Sequence, residues 1–245
     1  MVESARPRGG AQRIPRPIDH EIGGPSPWAS LSADRLRLSL VEVRARCAAL
    51  PEPADRAYRT AASRDAAVLV PVFESQGEAR VVLTKRPETM PSHRGEIAFP
   101  GGTVQPGVDA TPEAAARREA YEEVGLVPAA VDVVAALDPL GTVGSQFVIH
   151  PFVGVIDQPP RLRRDPREVD RVFDVALAEL LDPAHYREER WTVPSGGGLP
   201  SHELVVSFFE LEGETVWGAT ARILRGLLSR LVGVEEGSGF TGGAG

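Results

Sequence analysis

The sequence predicts an α/β fold of the α+β type, in which helices pack on the faces of a mixed β-sheet. Short segments rich in valine and alanine recur along the chain, as is typical of strands. Two longer segments, near 111–125 and 214–232, have helical patterns. Strands and helices do not alternate as a regular βαβ repeat, so a mixed sheet is expected rather than a parallel one.

The individual elements follow from local patterns. An amphipathic helix is predicted for 32–50 because apolar residues recur there at helical spacing and prolines follow it. A short helix is predicted at 176–181, and the helix at 214–232 is expected to end at Gly233. Strands are predicted at 66–73, 79–84, 131–137, 147–156, 168–175, 191–193 and 204–211.

Composition favours one domain between two tails. The chain has 245 residues, of which 42% are hydrophobic and 25% charged, as in ordinary globular proteins. Residues 1–27 are rich in proline, glycine and arginine without a hydrophobic period, and predict a disordered basic tail. A basic arm that contacts an anionic partner is the alternative. Residues 234–245 are rich in glycine and predict a flexible tail, which leaves a single domain at 28–233.

Several classes of protein are disfavoured. The single cysteine, Cys47, cannot form an internal disulfide, and a reducing, cytoplasmic location is expected. The longest apolar stretch, 66–73, is shorter than the roughly 20 residues that span a bilayer, and no signal peptide is evident. A net charge of -7 argues against non-specific nucleic-acid binding. We therefore expect neither membrane nor nucleic-acid partners.

The helix at 111–125 carries the candidate chemistry. It begins with a Thr-Pro pair and ends at a glycine, both of which are strong boundary signals. Glu119, Glu122 and Glu123 occupy positions i, i+3 and i+4, so they are expected on one face. Such like charges repel unless a divalent cation binds them, and Arg118 could hold the carboxylates in position. A solvated acidic face is the alternative interpretation.

Polar residues precede this helix in a connector at 85–95. Arg86, His93 and Arg94 lie in it, just before a Phe-Pro-Gly-Gly turn. A polar connector beside a metal site is suited to phosphate contacts, although for each residue taken alone a surface role is the more common one. His150, in the predicted strand at 147–156, is interpreted as a hydrogen-bonded core histidine.

The stretch from Gly102 to Leu126 resembles the Nudix box, G-x5-E-x7-R-E-U-x-E-E-x-G-U, where U is a bulky aliphatic residue. One departure is clear. The gap between Gly102 and Arg118 is two residues longer than the pattern, so Ala110 stands where the family has its first glutamate. Asp109 is the nearest acidic residue, and the sequence leaves open whether it replaces that glutamate. The matching positions are Gly102, Arg118-Glu119, Glu122-Glu123, Gly125 and Leu126.

A second resemblance concerns the coenzyme A pyrophosphatase branch of the family. Its upstream motif resembles Leu83-Thr84-Lys85-Arg86, His93, Gly95 and Phe99-Pro100-Gly101-Gly102. This branch usually has an arginine where this chain has Pro91, and Arg94 follows three positions later. An arginine guanidinium is well suited to binding a phosphate, so the absence of arginine at position 91 counts against coenzyme A as the substrate.

Together these resemblances imply an α/β/α sandwich and a diphosphatase that requires Mg²⁺ or Mn²⁺. The implied reaction is hydrolysis of coenzyme A or a derivative to 3′,5′-ADP and 4′-phosphopantetheine. The general base is left open between one of the glutamates and an acid from a later loop. The expected catalytic residues are Arg118, Glu119, Glu122 and Glu123, with the three glutamates as metal ligands; the expected substrate-binding residues are Arg86, His93, Arg94, Gly95, Phe99, Gly101 and Gly102.

Two other functions remain open from the sequence. A related Nudix diphosphatase could act on ADP-ribose, a dinucleotide or another nucleoside diphosphate derivative. A non-catalytic Nudix-like ligand sensor is the second alternative, although the intact Arg118 and its neighbouring glutamates argue against it. The sequence does not determine the oligomeric state, for which a homodimer is one option.

Overall fold

The structure, a computed structural model, describes residues 8–55, 57, 59–90, 92–142, 146–193 and 201–235. These residues form helices α1 (Leu40–Ala48), α2 (Pro112–Val124), α3 (Leu177–Leu180) and α4 (Gly218–Val232). The strands are β1 (Glu21–Ile22), β2 (Arg64–Ser75), β3 (Glu78–Lys85), β4 (Ile97–Ala98), β5 (Gly101–Thr103), β6 (Asp132–Ala136), β7 (Leu140–Gly141), β8 (Phe147–Ile156), β9 (Arg171–Ala176), β10 (Tyr186–Val193), β11 (His202–Leu211) and β12 (Glu214–Val216).

Internal contacts group the chain into two compact units. Unit 1 comprises residues 1–36 and 179–245, and unit 2 comprises residues 37–178. The sequence predicted one domain at 28–233, and the contacts give a finer division. The first and last parts of the chain meet in unit 1, and pairing between such distant segments leaves no mark in local hydrophobic patterns.

Unit 2 contains a mixed sheet. Its strands follow the order β4-β3-β2-β8-β6, with β5 beside β2, β7 beside β8 and β9 beside β3. The pairing of β2 with β8 is parallel, whereas the other pairings in this sheet are antiparallel. The mixed sheet and the α+β class predicted from the sequence are confirmed.

Small residues let α2 pack closely on this sheet. Ala116 and Ala120 of α2 are fully buried in one cluster with Ala67 and Leu69 of β2. An alanine side chain adds little bulk, so the helix backbone approaches the strand and brings Glu119 and Glu123 beside the glycines of β5. This packing fixes the position of the acidic residues on α2.

The ends of α2 lie where the sequence predicted them. The Thr111 hydroxyl accepts a hydrogen bond from the Ala114 backbone amide at 3.1 Å, which caps the first turn. Gly125 ends the helix in the left-handed conformation with φ 71°, which glycine adopts at little cost. The caps fix the helix register, and with it the direction of each glutamate.

Unit 1 is built on an antiparallel sheet in the order β1-β10-β11-β12. Helix α4 contacts β11. The predicted helix at 214–232 was wrong in its first residues, because Glu214–Val216 form strand β12 against β11. Gly213, at φ 74°, makes the tight turn between these two strands, and the helix starts only at Gly218.

The segment from residue 8 to residue 22 makes defined contacts in unit 1, in contrast to the disordered tail predicted for 1–27. Ile22 pairs with Glu189 of β10, and the Gly9 amide donates to the Leu211 carbonyl at 2.8 Å. Arg16 donates to the Glu189 carboxylate at 2.8 Å. These contacts use polar and backbone groups, which hydrophobic periodicity does not reveal.

The outermost parts of both predicted tails, residues 1–7 and 236–245, lie outside the described residues. None of the helices formed by the described residues has the length and apolar character needed to cross a lipid bilayer.

Replacing Arg16 by glutamine should destabilise unit 1. The Glu189 carboxylate is 5% exposed, so losing a charged partner leaves a buried charge less compensated, at a cost of roughly 1–2 kcal/mol. Urea unfolding would measure this loss. Arg13→Gln is the matched control, since Arg13 is exposed in the same segment and its substitution should leave stability unchanged. Equal stability of the two variants would contradict the assigned role of Arg16.

Candidate metal centre and active site

Three carboxylates from two elements converge in unit 2. Glu119, Glu123 and Glu168 each offer an oxygen atom, and these atoms lie within 4.8 Å of one another. Glu119 and Glu123 are one turn apart on α2, and Glu168 precedes β9. We call these three residues the acidic cluster. Oxygen donors at this spacing suit a hard divalent cation such as Mg²⁺ or Mn²⁺.

The loop that carries Glu168 is fixed to the C-terminal end of α2. The Arg163 amide donates to the Val124 carbonyl at 2.9 Å, and the Asp165 amide donates to the Glu123 carbonyl at 2.8 Å. Carbonyls at a helix end lack partners within the helix, so these bonds satisfy them and hold the loop in place. Glu168 is thereby positioned beside the glutamates of α2.

Two glycines let the backbone approach the acidic cluster from the other side. The Gly101 amide donates to the Glu123 carboxylate at 3.2 Å. A Cβ atom on Gly102 would lie 2.5 Å from Cδ of Glu119, and one on Gly101 would lie 2.4 Å from the Ala67 carbonyl oxygen. Only glycine fits at both positions without displacing the cluster or strand β2.

Burial makes Glu119 and Glu123 of the acidic cluster costly to ionise. Burial raises the pKa of Glu123, which is 4% exposed, to about 8, although the Gly101 amide offsets part of this effect. Burial also raises the pKa of Glu119, and hydrogen bonds from Arg118 partly oppose the shift. Carboxylates in this setting favour either a proton or a bound cation as compensation.

Arg118 links the acidic cluster to Asp109. Its Nη1 donates to Glu119 at 2.8 Å and to Glu122 at 2.9 Å, while Nε and Nη2 donate to the two Asp109 oxygens at 2.9 Å each. The Asp109 side chain is 2% exposed, and the Arg118 bond lowers its pKa. Asp109, the acid nearest the missing first glutamate of the box, is thus the carboxylate that orients Arg118.

Glu122 lies apart from the acidic cluster, whereas the sequence placed it among the three ligands. Its side chain is 54% exposed and bonds to Arg118. Successive helical residues are rotated by about 100°, so a helix that buries Glu119 and Glu123 turns Glu122 toward solvent. Metal binding by Glu122 stays a prediction, and the carboxylates that converge are those of Glu119, Glu123 and Glu168.

Glu168 was missed because no local pattern marks it as a ligand. The sequence treated it as the first residue of a strand at 168–175. One signal was present: a carboxylate stood at the start of that predicted strand, directly after an arginine-rich turn. Glu168 is brought to the site by the pairing of β9 with β3, which is long-range. This pairing begins where the Asp170 amide donates to the Lys85 carbonyl at 2.8 Å.

The structure brings Arg86 close to the acidic cluster. Its positive charge acts to lower the pKa of Glu123. The Arg86 amide donates to the Glu96 carbonyl at 3.0 Å, which closes the connector. Among the described residues, its buried Nε atom has no hydrogen-bond partner. A buried guanidinium nitrogen without a partner is a costly arrangement unless a ligand supplies an acceptor.

His93 and Arg94 make contacts within the connector itself. His93 is exposed at φ 55°, and its Nδ1 lies 2.9 Å from a Glu96 oxygen, a contact that raises the His93 pKa. Arg94 is exposed, and its Nε donates to the Met90 carbonyl at 2.7 Å. Pro91, between them and Arg86, lies outside the described residues.

The other predicted substrate-binding residues have structural surroundings. Gly95 adopts φ 64°, and a Cβ atom there would approach Glu88 Oε1 to 2.1 Å. Phe99 is 3% exposed and belongs to the core. His150 lies 2.8 Å from an Asp65 oxygen, in accord with the expectation of a hydrogen-bonded histidine. Direct substrate contacts by Gly95 and Phe99 stay predictions.

Comparison with known proteins identifies the family. A family model described as the NUDIX domain matches residues 63–194, which are 132 of the 245 residues. The chain belongs to the Nudix hydrolase family. The curated relatives include proteins of Salmonella dublin and Salmonella newport, both described as uncharacterized Nudix hydrolase NudL. Each is 40% identical over 172 residues, which cover 69% of this chain and 84% of the relative.

Solved structures of Nudix proteins are also similar. A MutT/nudix family protein from Enterococcus faecalis is 17% identical, with a TM-score of 0.48, over 75% of this chain and 65% of that one. The NUDIX domain of Shewanella oneidensis NrtR, solved with ADP ribose, is 18% identical, with a TM-score of 0.41, over 50% of this chain and 78% of that one. Nudix enzymes generally use divalent metal ions, and the acidic cluster lies within the matched residues.

Without metal, the stability of this Nudix hydrolase should fall as the pH rises from about 5 to about 8. Glu123 has a pKa of about 8 in the folded protein and 4.5 as its ordinary value, so in this window the folded chain retains a proton that the unfolded chain has lost. The limiting slope is about 1.4 kcal/mol per pH unit.

Thermal unfolding in a chelating agent, recorded across this pH range, tests the effect. Glu123→Gln should gain stability over the wild type as the pH rises, because the amide carries no charge at any pH. Glu113→Gln, a substitution in the first turn of the same helix, is the control and should follow the wild type. Parallel pH curves for wild type and Glu123→Gln would contradict the buried-carboxylate account.

Proposed function

We propose that this Nudix hydrolase cleaves the diphosphate linkage of a nucleotide derivative, using a divalent cation held by Glu119, Glu123 and Glu168. The observation that carries the proposal is the convergence of these carboxylate oxygens within 4.8 Å beside a glycine turn. The bound cation would neutralise the diphosphate and lower the pKa of a water molecule. The raised pKa of Glu123, caused by burial, is the expected property of a site that gains from binding a cation.

Arg118 and Asp109 act as positioning residues in this proposal. The two bonds from Arg118 to Asp109 fix the guanidinium plane, and the third donor group holds the Glu119 carboxylate. A carboxylate held in one rotamer loses little entropy when a cation binds. Arg118 is therefore assigned to orienting Glu119 rather than to contacting the substrate.

Glu168 is also the proposed proton acceptor, through the carboxylate oxygen that does not bind the cation. It is the exposed member of the acidic cluster, whereas Glu119 and Glu123 are buried. A carboxylate oxygen at the solvent boundary can take the proton of the attacking water and pass it to bulk solvent. This assignment selects the later-loop acid from the two options that the sequence left open.

Arg86 is the proposed partner of a substrate phosphate oxygen. Its Nε atom is buried without an acceptor among the described residues, and its charge reaches Glu123. A phosphate oxygen would satisfy that donor and add a charge-assisted hydrogen bond. The contact would also neutralise charge that accumulates as the diphosphate is cleaved.

Coenzyme A is the proposed substrate. Support comes from the resemblance of the connector, which includes Arg86 and His93, to the upstream motif of the coenzyme A pyrophosphatase branch. Products would then be 3′,5′-ADP and 4′-phosphopantetheine. ADP-ribose and dinucleotides contain the same diphosphate linkage, so they are the competing substrates in the test.

A panel of diphosphates with Mg²⁺ or Mn²⁺, followed by product identification, tests this function. Coenzyme A should be cleaved faster than ADP-ribose or a dinucleotide, and a chelating agent should abolish turnover. Glu123→Gln and Glu168→Gln should each lower kcat by at least ~10²-fold, because each removes a central electrostatic group. Metal-independent turnover, or full activity in both variants, would refute the proposal.

Two further variants make this experiment sharper. Glu113→Gln is the matched control, because Glu113 pairs with Arg117 on the same helix at 2.8 Å and lies outside the acidic cluster. Glu122→Gln tests whether Glu122 or Glu168 is the third metal ligand. If Glu168 is the ligand, Glu122→Gln should lower kcat less than Glu123→Gln does. An equally large fall in kcat would favour Glu122, as the helical pattern alone suggested.

A further inference from the structure

The loop before β9 is rich in arginine, although the whole chain has a net charge of -7. Arg161, Arg163, Arg164 and Arg167 are all exposed. The proposed reaction uses only Glu168 from this loop. Three of these arginines lie within residues 161–164, a stretch without an acidic residue, and such local positive charge is suited to an anionic ligand.

This arginine-rich loop has a fixed backbone. Its amides at Arg163 and Asp165 bond to the end of α2, as described above, and Leu162 packs against the hydrophobic cluster beneath that helix. The Val169 amide donates to the Asp165 carbonyl at 2.9 Å and closes the following turn. A loop backbone that is already fixed needs no ordering when a ligand binds, which lowers the entropic cost of binding.

The arginines of the loop differ in how their donors are used. Arg167 bonds to the Asp165 carboxylate through Nε and Nη2, so this pair is internally neutralised. Arg164 instead donates from Nη1 to the Val169 carbonyl at 3.0 Å, and no ion pair with it is found among the described residues. Val169 follows Glu168 directly, so the Arg164 guanidinium is anchored beside the backbone of a cluster residue.

An anchored guanidinium of this kind retains binding capacity. Arginine has five N–H donors in a rigid fork, and the Val169 carbonyl uses only one Nη1 hydrogen of Arg164. The side chain is exposed, so the remaining donors are accessible from solvent. Carboxylates and phosphates are the anions whose geometry matches such a fork, and the proposed substrate offers phosphates.

We propose that Arg164, with the charge of Arg163 next to it, binds a phosphate monoester of the substrate that is separate from the diphosphate being cleaved. The diphosphate already has Arg86 and the acidic cluster with its cation. The Arg164 guanidinium is held by the carbonyl of Val169, the residue after Glu168, which places it beside the acidic cluster. Arg164 is a specificity residue for nucleotides with an additional phosphate, and this assignment rests on the proposed function.

The kinetic test compares coenzyme A with dephospho-coenzyme A, which lacks the 3′-phosphate. Arg164→Gln should lower kcat/KM for coenzyme A by ~10-fold or more, mainly through KM, because it removes a charged hydrogen bond to a bound group. Its effect on dephospho-coenzyme A should be less than ~2-fold. Equal losses on both substrates, or no loss on either, would overturn the proposal.

Two control variants separate a local effect from a general change of charge. Arg37→Gln removes one positive charge from an exposed side chain that pairs with Glu78 at the start of β3, and should leave the substrate ratio unchanged. Arg94→Gln tests the arginine that the sequence pointed to. A change of ratio in Arg94→Gln but not in Arg164→Gln would transfer the role to the connector.

A binding measurement without turnover distinguishes this proposal from the proposed function. Calorimetry in a chelating agent should show that the wild type binds 3′,5′-ADP more tightly than 5′-AMP, and that Arg164→Gln loses the preference. If the wild type has the preference but cleaves neither coenzyme A nor its dephospho form, the proposed substrate fails and the phosphate site stands. If it cleaves both and lacks the preference, the phosphate site fails.

Discussion

The buried carboxylates of Glu119 and Glu123 are the constraint on which the rest of unit 2 depends. Two acids one turn apart, both turned toward the sheet, repel each other and lose hydration. The small alanine side chains of α2 allow the helix to pack closely on the sheet, and this packing buries both carboxylates. Glycines at the facing turn, Arg118, and the loop that carries Glu168 all gather around the pair. Within this arrangement the buried pair is compensated by a proton or by a bound cation.

Much of this arrangement was predictable because it is local in the chain. The boundaries of α2, the carboxylates at Glu119 and Glu123, and the role of Arg118 as their neighbour follow from residues within about four turns of helix. The glycine turn was also evident as a place where the backbone must come close. Helical spacing alone, however, could not choose between Glu122 and Glu123 for the inward direction, because both are near one turn from Glu119.

Long-range pairing determined the features that sequence patterns missed. Glu168 joins the acidic cluster through strand pairing and through two bonds to the end of α2. The segment around Arg16 joins unit 1 by pairing with β10, more than 160 residues away along the chain. Residues 214–216 resemble a helix start in isolation and become a strand because β11 lies beside them. Each outcome depends on a partner that is distant in sequence.

The bond between Asp109 and Arg118 changes how such proteins should be recognised in genomes. A search that demands a glutamate at a fixed spacing would discard this chain, because the interval is longer and the acid has a shorter side chain. The folded protein requires only that some carboxylate reach the arginine. Because the interval contains extra residues, its backbone can bring the shorter aspartate side chain within hydrogen-bond distance of Arg118. A pattern written around the arginine's partner, with a variable interval, would retain divergent members that strict spacing excludes.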